Sequence, residues 1–240
     1  LCYWLTAAGI DPLTQTQLVT VPPSQMAANL EAGHMDGFCA GEPWSRRAVI
    51  EASGVLVAAS SQVWPDHPGK ALGARADFVA RHPNTCRALV AALLDTARWL
   101  DSSPTNREAA AEVLASPAFV HADIDLLRAC LVPRQADFPG LRFFGEGEAT
   151  YPWLSDGMWF LTQQRRWGLL REDPDYLGVA QAVNHVDVYR EAALLAGVDV
   201  PSGEMRSSRL MDGRVWDGSD PVGYVEAFGI HQRDAQTANA

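Results

Sequence analysis

Residues 36–44 read Asp36-Gly37-Phe38-Cys39-Ala40-Gly41-Glu42-Pro43-Trp44 and form the densest motif of this chain. The apolar run predicts a short buried strand over Gly37–Ala40, and the residues after it predict a helix that begins at Pro43. A proline in the first helical turn loses no hydrogen bond, because its amide would have no partner within the helix. A strand that passes through a glycine turn into a helix is typical of an α/β fold.

Gly41 is the first candidate binding residue. It has no side chain, so a ligand can closely approach its backbone N–H. It follows the carboxyl end of a predicted strand and precedes a helix N-terminus, where ligands gather in open α/β sheets and where partial positive charge favours an anion. The alternative is purely structural: Gly41 makes the turn and Glu42 caps the helix.

The rest of the first seventy residues alternates between helix and strand patterns. The predicted elements are helices over Leu1–Ala8, Gln25–Ala32 (capped by Ser24) and Pro43–Ala52, and strands over Gln17–Val21, Gly37–Ala40 and Val55–Ala59. Strands of about 4–6 residues between helices of about ten residues predict βαβ units with a parallel sheet.

The chain beyond Ala76 is predicted to be mostly helical. Apolar residues recur from Cys86 to Leu100 with a period of about 3.6 residues, which predicts a stripe facing the core. A capping box at Thr105-x-x-Glu108 is expected to open the next helix. Further predicted elements are a loop over Pro133–Gly147 and helices over Gly157–Trp167 and Asp187–Ala196.

Two side-chain patterns of the second half are interpreted as structural. The aromatic residues have helical spacing, which favours core packing over the stacking of a carbohydrate or nucleotide. They are Tyr151, Trp153, Trp159, Phe160 and Trp167. The basic pair Arg165-Arg166 is expected to lie on a solvated helix face.

Lys70 is the second candidate binding residue. It is the single lysine among nineteen basic residues, all the others being arginines. Because the chain uses arginine everywhere else, we interpret this lysine as kept for its chemistry. Its side chain carries a compact, hydrated ammonium group on a flexible stem. Lys70 ends the loop Trp64-Pro65-Asp66-His67-Pro68-Gly69-Lys70. The alternative is chance retention on the surface, where lysines usually lie.

Composition excludes several classes of function. The net charge of −10 argues against a nucleic-acid partner, since phosphates need a basic surface. No apolar stretch approaches the roughly 20 residues that cross a bilayer. The four cysteines, expected to be buried thiols, lack the spacing of a zinc site. They are Cys2, Cys39, Cys86 and Cys130.

Catalysis finds little support in the sequence. The chain lacks Gly-x-Ser-x-Gly and a phosphate-binding glycine loop, so no enzyme is predicted. Cys39 stands near Glu42, but burial in a strand would leave its thiol unreactive. Asp66 and His67 lie between two prolines and are expected to shape a rigid loop, since two ligands alone do not make a metal site.

Several segments together resemble the second lobe of the nitrate/bicarbonate-binding proteins that serve ABC importers. The segments that carry the resemblance are Leu1-x-Tyr3-Trp4-Leu5, Val21-Pro22-Pro23-x-Gln25-Met26, residues 36–44, Trp64-Pro65-Asp66-His67-Pro68-x-Lys70, Arg75-Ala76-Asp77-Phe78, His82-Pro83-Asn84-Thr85, Tyr151-Pro152-Trp153, Trp159-Phe160-Leu161-Thr162-Gln163 and Asp212-Gly213-Arg214-Val215. The ordered set covers nearly the whole chain.

The resemblance implies an α/β, two-lobe, periplasmic-binding-protein-like fold of type II (a Venus flytrap), incomplete at the N-terminus and helix-rich in its C-terminal half. Residues 1–69 would complete the second lobe, 70–230 would return to the first lobe and add a helical part, and 231–240 would form a disordered tail. Part of the first lobe would then lie upstream of Leu1.

The resemblance also implies a binding site for a small planar anion. In nitrate-binding members, the glycine amide of the Gly-Glu-Pro-Trp motif and a downstream lysine contact the anion, and these positions correspond to Gly41 and Lys70. Cys39, Glu42 and Trp44 are further candidates for lining the pocket. Bicarbonate-binding members carry an acidic residue at the lysine position and use calcium. Lys70 therefore predicts nitrate or nitrite, with no metal and no cofactor.

Three functions are compatible with these residues. The first is a solute receptor that delivers nitrate or nitrite to the membrane permease of an ABC importer, at the periplasmic face of the plasma membrane. The second is a cytoplasmic nitrate sensor of the same fold that holds a regulatory protein. The third, a thiamine-pyrimidine synthase, would need a cysteine-rich or histidine-bearing active site that is not evident in the sequence.

Overall fold

The computed structural model describes residues 1–132 and 141–231 of the chain, and helices dominate them. The helices are α1 (Cys2–Ala7), α2 (Met26–Glu31), α3 (Trp44–Ile50), α4 (Ser60–Val63), α5 (Ala76–Arg81), α6 (Pro83–Ser102), α7 (Pro104–Ala115), α8 (Ile124–Leu131), α9 (Leu154–Arg166), α10 (Tyr176–Asn184), α11 (Val186–Ala196) and α12 (Pro221–Glu226). Short 3₁₀ turns cover Pro23–Gln25 and Gly145–Gly147. Each helix predicted from the sequence has a counterpart here, with ends that differ by a few residues.

The predicted parallel sheet is not formed within the described residues. Residues 17–21, 37–40 and 55–59 are not strands, and no backbone N–H of 17–21, 37–40 or 55–58 donates to a described backbone carbonyl. A strand exists only as part of a ladder with a neighbour, and these three segments do not pair with one another. Their apolar side chains stay open, with Val55 84% exposed and Val57 70% exposed.

The sheet that does form in the described residues is a short antiparallel pair. β1 (Ser208–Arg209) pairs with β2 (Val215–Trp216), so that Ser208 stands opposite Trp216. The turn between them was not predicted as a hairpin. Trp216 points into the core and is 2% exposed.

Two predicted helix caps are wrong, and for one reason. Ser24 lies inside the 3₁₀ turn, and Thr105 lies inside α7, which is capped instead by Ser103. The Ser103 hydroxyl accepts a hydrogen bond from Asn106 N at 3.2 Å. In both places a proline one residue earlier, Pro23 or Pro104, sets the start, because its fixed φ suits the first turn.

The core is built around α9 and is aromatic. Tyr151, Trp153 and Trp159 are buried, as predicted, whereas Phe160 is 43% exposed. Tyr3 of α1 packs on Trp159, with ring centroids 5.6 Å apart. The first helix is therefore anchored to the C-terminal half.

Arg166 corrects the expectation of a solvated basic pair. It is 2% exposed, and its guanidinium carbon lies 3.6 Å from the ring centroid of Phe228. It donates to Ile230 O at 3.0 Å and to Thr6 Oγ1 at 3.1 Å. Burial lowers the pKa of Arg166 to about 10.

Helix α6 packs on the core with one face and borders an open groove with another. It packs along α11, and Leu94 is 1% exposed. The predicted stripe is only partly in the core, however, because Leu89 and Leu93 are 48% and 50% exposed. These two side chains border the groove described below. None of the helices in the described ranges is long and apolar enough to span a membrane.

Parts of the predicted domain division fall outside the described residues. Residues 133–140 of the predicted loop and 232–240 of the predicted tail lie there. The boundary between residues 69 and 70 stays a prediction.

Candidate functional site

An open groove separates the extended N-terminal segments from α6 and the start of α9. It is lined by residues 36–42, 53–61 and 63–75, and by apolar side chains of α6. Four of the predicted site residues line it, namely Cys39, Gly41, Glu42 and Lys70. Trp44 is not among the described lining residues; it begins α3 and is half-buried.

Gly41 and Lys70 lie side by side in this groove. A Cβ built on Gly41 would lie 3.6 Å from Lys70 Nζ. Both residues are exposed. Within the described part of the chain, Lys70 forms no salt bridge. The structure thus places Gly41, whose backbone is not covered by a side chain of its own, beside the ammonium group of Lys70, which is exposed and can contact a ligand.

Glu42 points back into the protein rather than toward Lys70. Its Oε2 accepts hydrogen bonds from Arg46 N at 3.1 Å and from the Cys130 thiol at 3.6 Å. Burial, together with the nearby Glu42 carboxylate, raises the pKa of Cys130 to about 12. Glu42 therefore holds the turn against α3 and α8, the capping role left open by the sequence.

Cys39 differs from its prediction. The expected buried strand is absent, and Cys39 is exposed in the groove. Among the four cysteines only Cys86 is buried. The error follows from the missing ladder, because an unpaired segment leaves both of its faces in contact with solvent.

The loop that carries Lys70 is fixed at its start. Trp64 is 2% exposed and packs on Trp159, with ring centroids 4.7 Å apart. Val63 O accepts a hydrogen bond from Met211 N at 2.9 Å. These contacts attach the loop to the C-terminal half.

Two arginines that the sequence did not single out hold the same loop. Arg142 Nη2 lies 3.0 Å from Asp66 Oδ1, and Arg206 donates to the Asp66 carbonyl oxygen. Burial and the positive charge of Arg206 lower the pKa of His67. No local signal could have found these arginines, because they lie some 76 and 140 residues away from Asp66 along the chain.

Within the ranges that the structure describes, no three His, Cys, Asp or Glu side chains are grouped so that they could hold an ion. The Asp66 carboxylate is already paired with Arg142. The arrangement offers positive charge and backbone donors, which suit an anion.

Comparison with known proteins identifies relatives over most of the chain. Residues 1–115 match the NMT1-like family. The nitrate/nitrite binding protein NrtA of Synechococcus elongatus is 34% identical over 94% of this chain and 53% of its own length. The nitrate import ATP-binding protein NrtC of Synechocystis is 35% identical over 98% of this chain and 36% of its own length.

A bicarbonate-binding relative and a solved structure extend this result. The bicarbonate-binding protein CmpA of Synechococcus elongatus is 31% identical over 95% of this chain and 55% of its own length. The crystal structure of the periplasmic nitrate-binding protein NrtA from Synechocystis matches with a TM-score of 0.86 and 31% identity, over 95% of this chain and 63% of that one. The predicted periplasmic-binding-protein-like fold is confirmed. The chain spans about half the length of the binding proteins that it matches, and about a third of the ATP-binding ones.

Proposed function

We propose that this chain captures nitrate or nitrite for import, because binding proteins for nitrate and for bicarbonate match it over 94–95% of its length at 31–34% identity. The anion would bind in the groove at Gly41 and Lys70. The observation that carries this proposal is the distance of 3.6 Å between Lys70 Nζ and the Cβ position of Gly41. At this distance, a small ligand can contact both of the predicted residues at once.

In this proposal, Lys70 supplies the positive charge, and the hydrogen bond from the Gly41 N–H orients the bound anion. An ammonium without a carboxylate partner keeps its full attraction for an anion, and the attraction strengthens when lobe closure removes water. The chain has a net charge of −10, so most of its surface repels an anion. A local positive charge such as that of Lys70 therefore favours binding at this position. A lysine here, where bicarbonate-binding members are expected to have an acidic residue, favours an anion bound without metal.

The cellular setting is proposed from the relatives. Solute-binding proteins deliver their ligand to a membrane permease, and the proposed location is the periplasmic face of the plasma membrane. The names of these relatives refer to binding, transport and import, and the cytoplasmic sensor gains no support from them. They are also not named as enzymes of thiamine synthesis.

A second arrangement is favoured by one observation. Two relatives named as ATP-binding proteins match nearly the whole chain, while the chain covers 35% and 36% of them. The same anion-binding unit could therefore be carried by a polypeptide that also contains an ATPase. Assaying the full-length gene product for ATP hydrolysis separates the two arrangements, and nitrate binding is expected in both.

The test of the proposed function is calorimetric titration of the full-length gene product. Nitrate and nitrite are titrated first, then bicarbonate with and without calcium, with chloride as the control anion. The expected result is saturable heat with nitrate or nitrite in the presence of a chelator. Binding of bicarbonate alone, dependent on calcium, would overturn the proposal, as would the absence of any nitrate signal.

A further inference from the structure

We infer that Arg206 and Asp156 are positioning residues for the anion site: together they hold the segment that presents Lys70. The inference rests on the proposed function for its effect on affinity, but the contact itself is independent of any ligand. It assigns a role in binding to two residues that lie far from Lys70 in sequence.

Arg206 is held rigidly by Asp156. Its Nε lies 3.0 Å from Asp156 Oδ1 and its Nη2 lies 2.5 Å from Asp156 Oδ2, so the pair is bidentate. The Asp156 side chain is 8% exposed and that of Arg206 is 16% exposed. Backbone contacts add to this, because Arg206 N donates to Ser155 Oγ at 3.0 Å. Two parallel N–H···O bonds fix the plane of a guanidinium as well as its place.

The same guanidinium reaches the loop of Lys70. Arg206 Nη2 also donates to the carbonyl oxygen of Asp66, four residues before Lys70. Between these two residues lies Pro68, whose fixed φ limits the freedom of the backbone. The position of the ammonium beside Gly41 is therefore set through a short and restricted stretch of chain.

A role in stability alone does not account for this geometry. Buried ion pairs are often no better for stability than apolar side chains of similar size, because desolvation offsets their attraction. The feature that needs explaining is the third bond, to a loop carbonyl. A lysine at 206 would keep the charge but would lose the planar set of donors that serves a carboxylate and a carbonyl at once.

The affinity test is a double-mutant cycle in the full-length protein. Nitrate dissociation constants are measured for the wild type, R206Q, K70Q and the double variant. R206Q is expected to weaken binding by about tenfold, close to 1.4 kcal/mol. In the K70Q background the same change should cost less than about twofold, because residues that act through one another are not additive. Equal weakening in both backgrounds would overturn the inference.

A second readout requires no ligand. Lys70 is the single lysine of the sequence given, so the lysine-specific protease Lys-C cuts it at the Lys70–Ala71 bond only. Cleavage there, followed by mass spectrometry, should be several-fold faster in R206Q and in D156N than in the wild type, because transient opening of the loop governs the rate. Neither change adds a lysine to the sequence. Unchanged cleavage in both variants would overturn the inference.

R190Q is the matched control. Arg190 pairs with Glu204 at 2.8 Å in the same C-terminal segment, with 41% of its side chain exposed, and it makes no contact with the Lys70 loop among the described residues. It should leave both affinity and cleavage unchanged. If the wild type binds no nitrate while R206Q still accelerates cleavage at Lys70, the proposed function fails and the positioning contact stands.

Discussion

Lys70 Nζ lies 3.6 Å from the point that a Cβ on Gly41 would occupy. That distance is an ordinary van der Waals contact, so a methyl group fits there without displacing the lysine. It would, however, put a methyl group in contact with the ammonium, where the anion is proposed to bind.

Gly41→Ala is therefore expected to fold normally and to weaken nitrate binding by about tenfold, or roughly 1.4 kcal/mol. Calorimetry measures the affinity, and thermal unfolding checks the stability. Gly37→Ala is the matched control, since a Cβ at Gly37 meets nothing within 4 Å. Equal affinities for wild type and Gly41→Ala would remove Gly41 from the site.

Lys70→Gln removes the charge and keeps a polar side chain, which is one bond shorter than that of lysine. A hydrogen bond to a charged group contributes about 1.5–3 kcal/mol, so the nitrate dissociation constant should rise by about 10- to 100-fold. Lys70→Glu should abolish binding, because it places a negative charge beside the anion. Arg81→Gln, at a side chain 66% exposed and outside the groove lining, serves as the control. Unchanged affinity in Lys70→Glu would refute the assignment.

The cysteines should react with iodoacetamide in an order set by exposure and thiolate content. Cys39 is exposed, while Cys86 is buried and Cys130 has a pKa raised to about 12 by burial and by Glu42. At pH 8 only about one Cys130 in 10⁴ would be a thiolate, which is the reactive form. Peptide mass spectrometry over time should show Cys39 labelled before Cys86 and Cys130. Rapid labelling of Cys130 in the folded protein would contradict the contact with Glu42, and denaturant should make all four react.

Asp101 is expected to make stability depend on pH in acid. Burial opposes its charge, but the N–H groups of Phe144, Phe143 and Gly145, with Arg107, hold its pKa below the ordinary value. Since the folded pKa is the lower one, the stabilisation is complete above the unfolded pKa of about 3.9 and is lost as pH falls through the folded pKa.

Asp101→Asn should consequently lower the free energy of unfolding by about 1–3 kcal/mol at pH 7, because three half-buried backbone N–H groups lose a charged acceptor. The difference from wild type should shrink toward pH 3. Urea unfolding at pH 7, 5 and 3 measures it, with Asp95→Asn as an exposed control. A difference that stays constant down to pH 3 would argue against the role of the carboxylate charge.

The sequence was informative wherever local chemistry controls the structure. Helices formed where the apolar period predicted them, and Gly197 ends α11 in the left-handed conformation with φ 60°. The Gly41 and Lys70 pair could also be proposed from residue types, since each was unusual in its own neighbourhood. What brought them together was the family resemblance, because nothing in the spacing of residues 41 and 70 requires contact.

The errors arose where structure depends on distant partners. Cys39 was expected in a buried strand, but a strand needs a neighbour, and the described segments supply none. Arg166 looked like a surface residue until α1 and Phe228 covered it. Arg206 gave no signal at all, because its partner carbonyl at Asp66 belongs to the backbone and carries no residue signature.

Among the described residues, the backbone N–H groups of 17–21, 37–40 and 55–58 donate to no backbone carbonyl, and this has a consequence for isotope exchange. Amide protons there should exchange with deuterated solvent at nearly the rate of an open chain, while those inside α6 and α9 are retained for far longer. The exchange rate of these amides therefore reports directly on whether the three segments are paired. Any polypeptide that adds strands to these segments would register as slowed deuterium uptake at those amides, with no dye or tag attached.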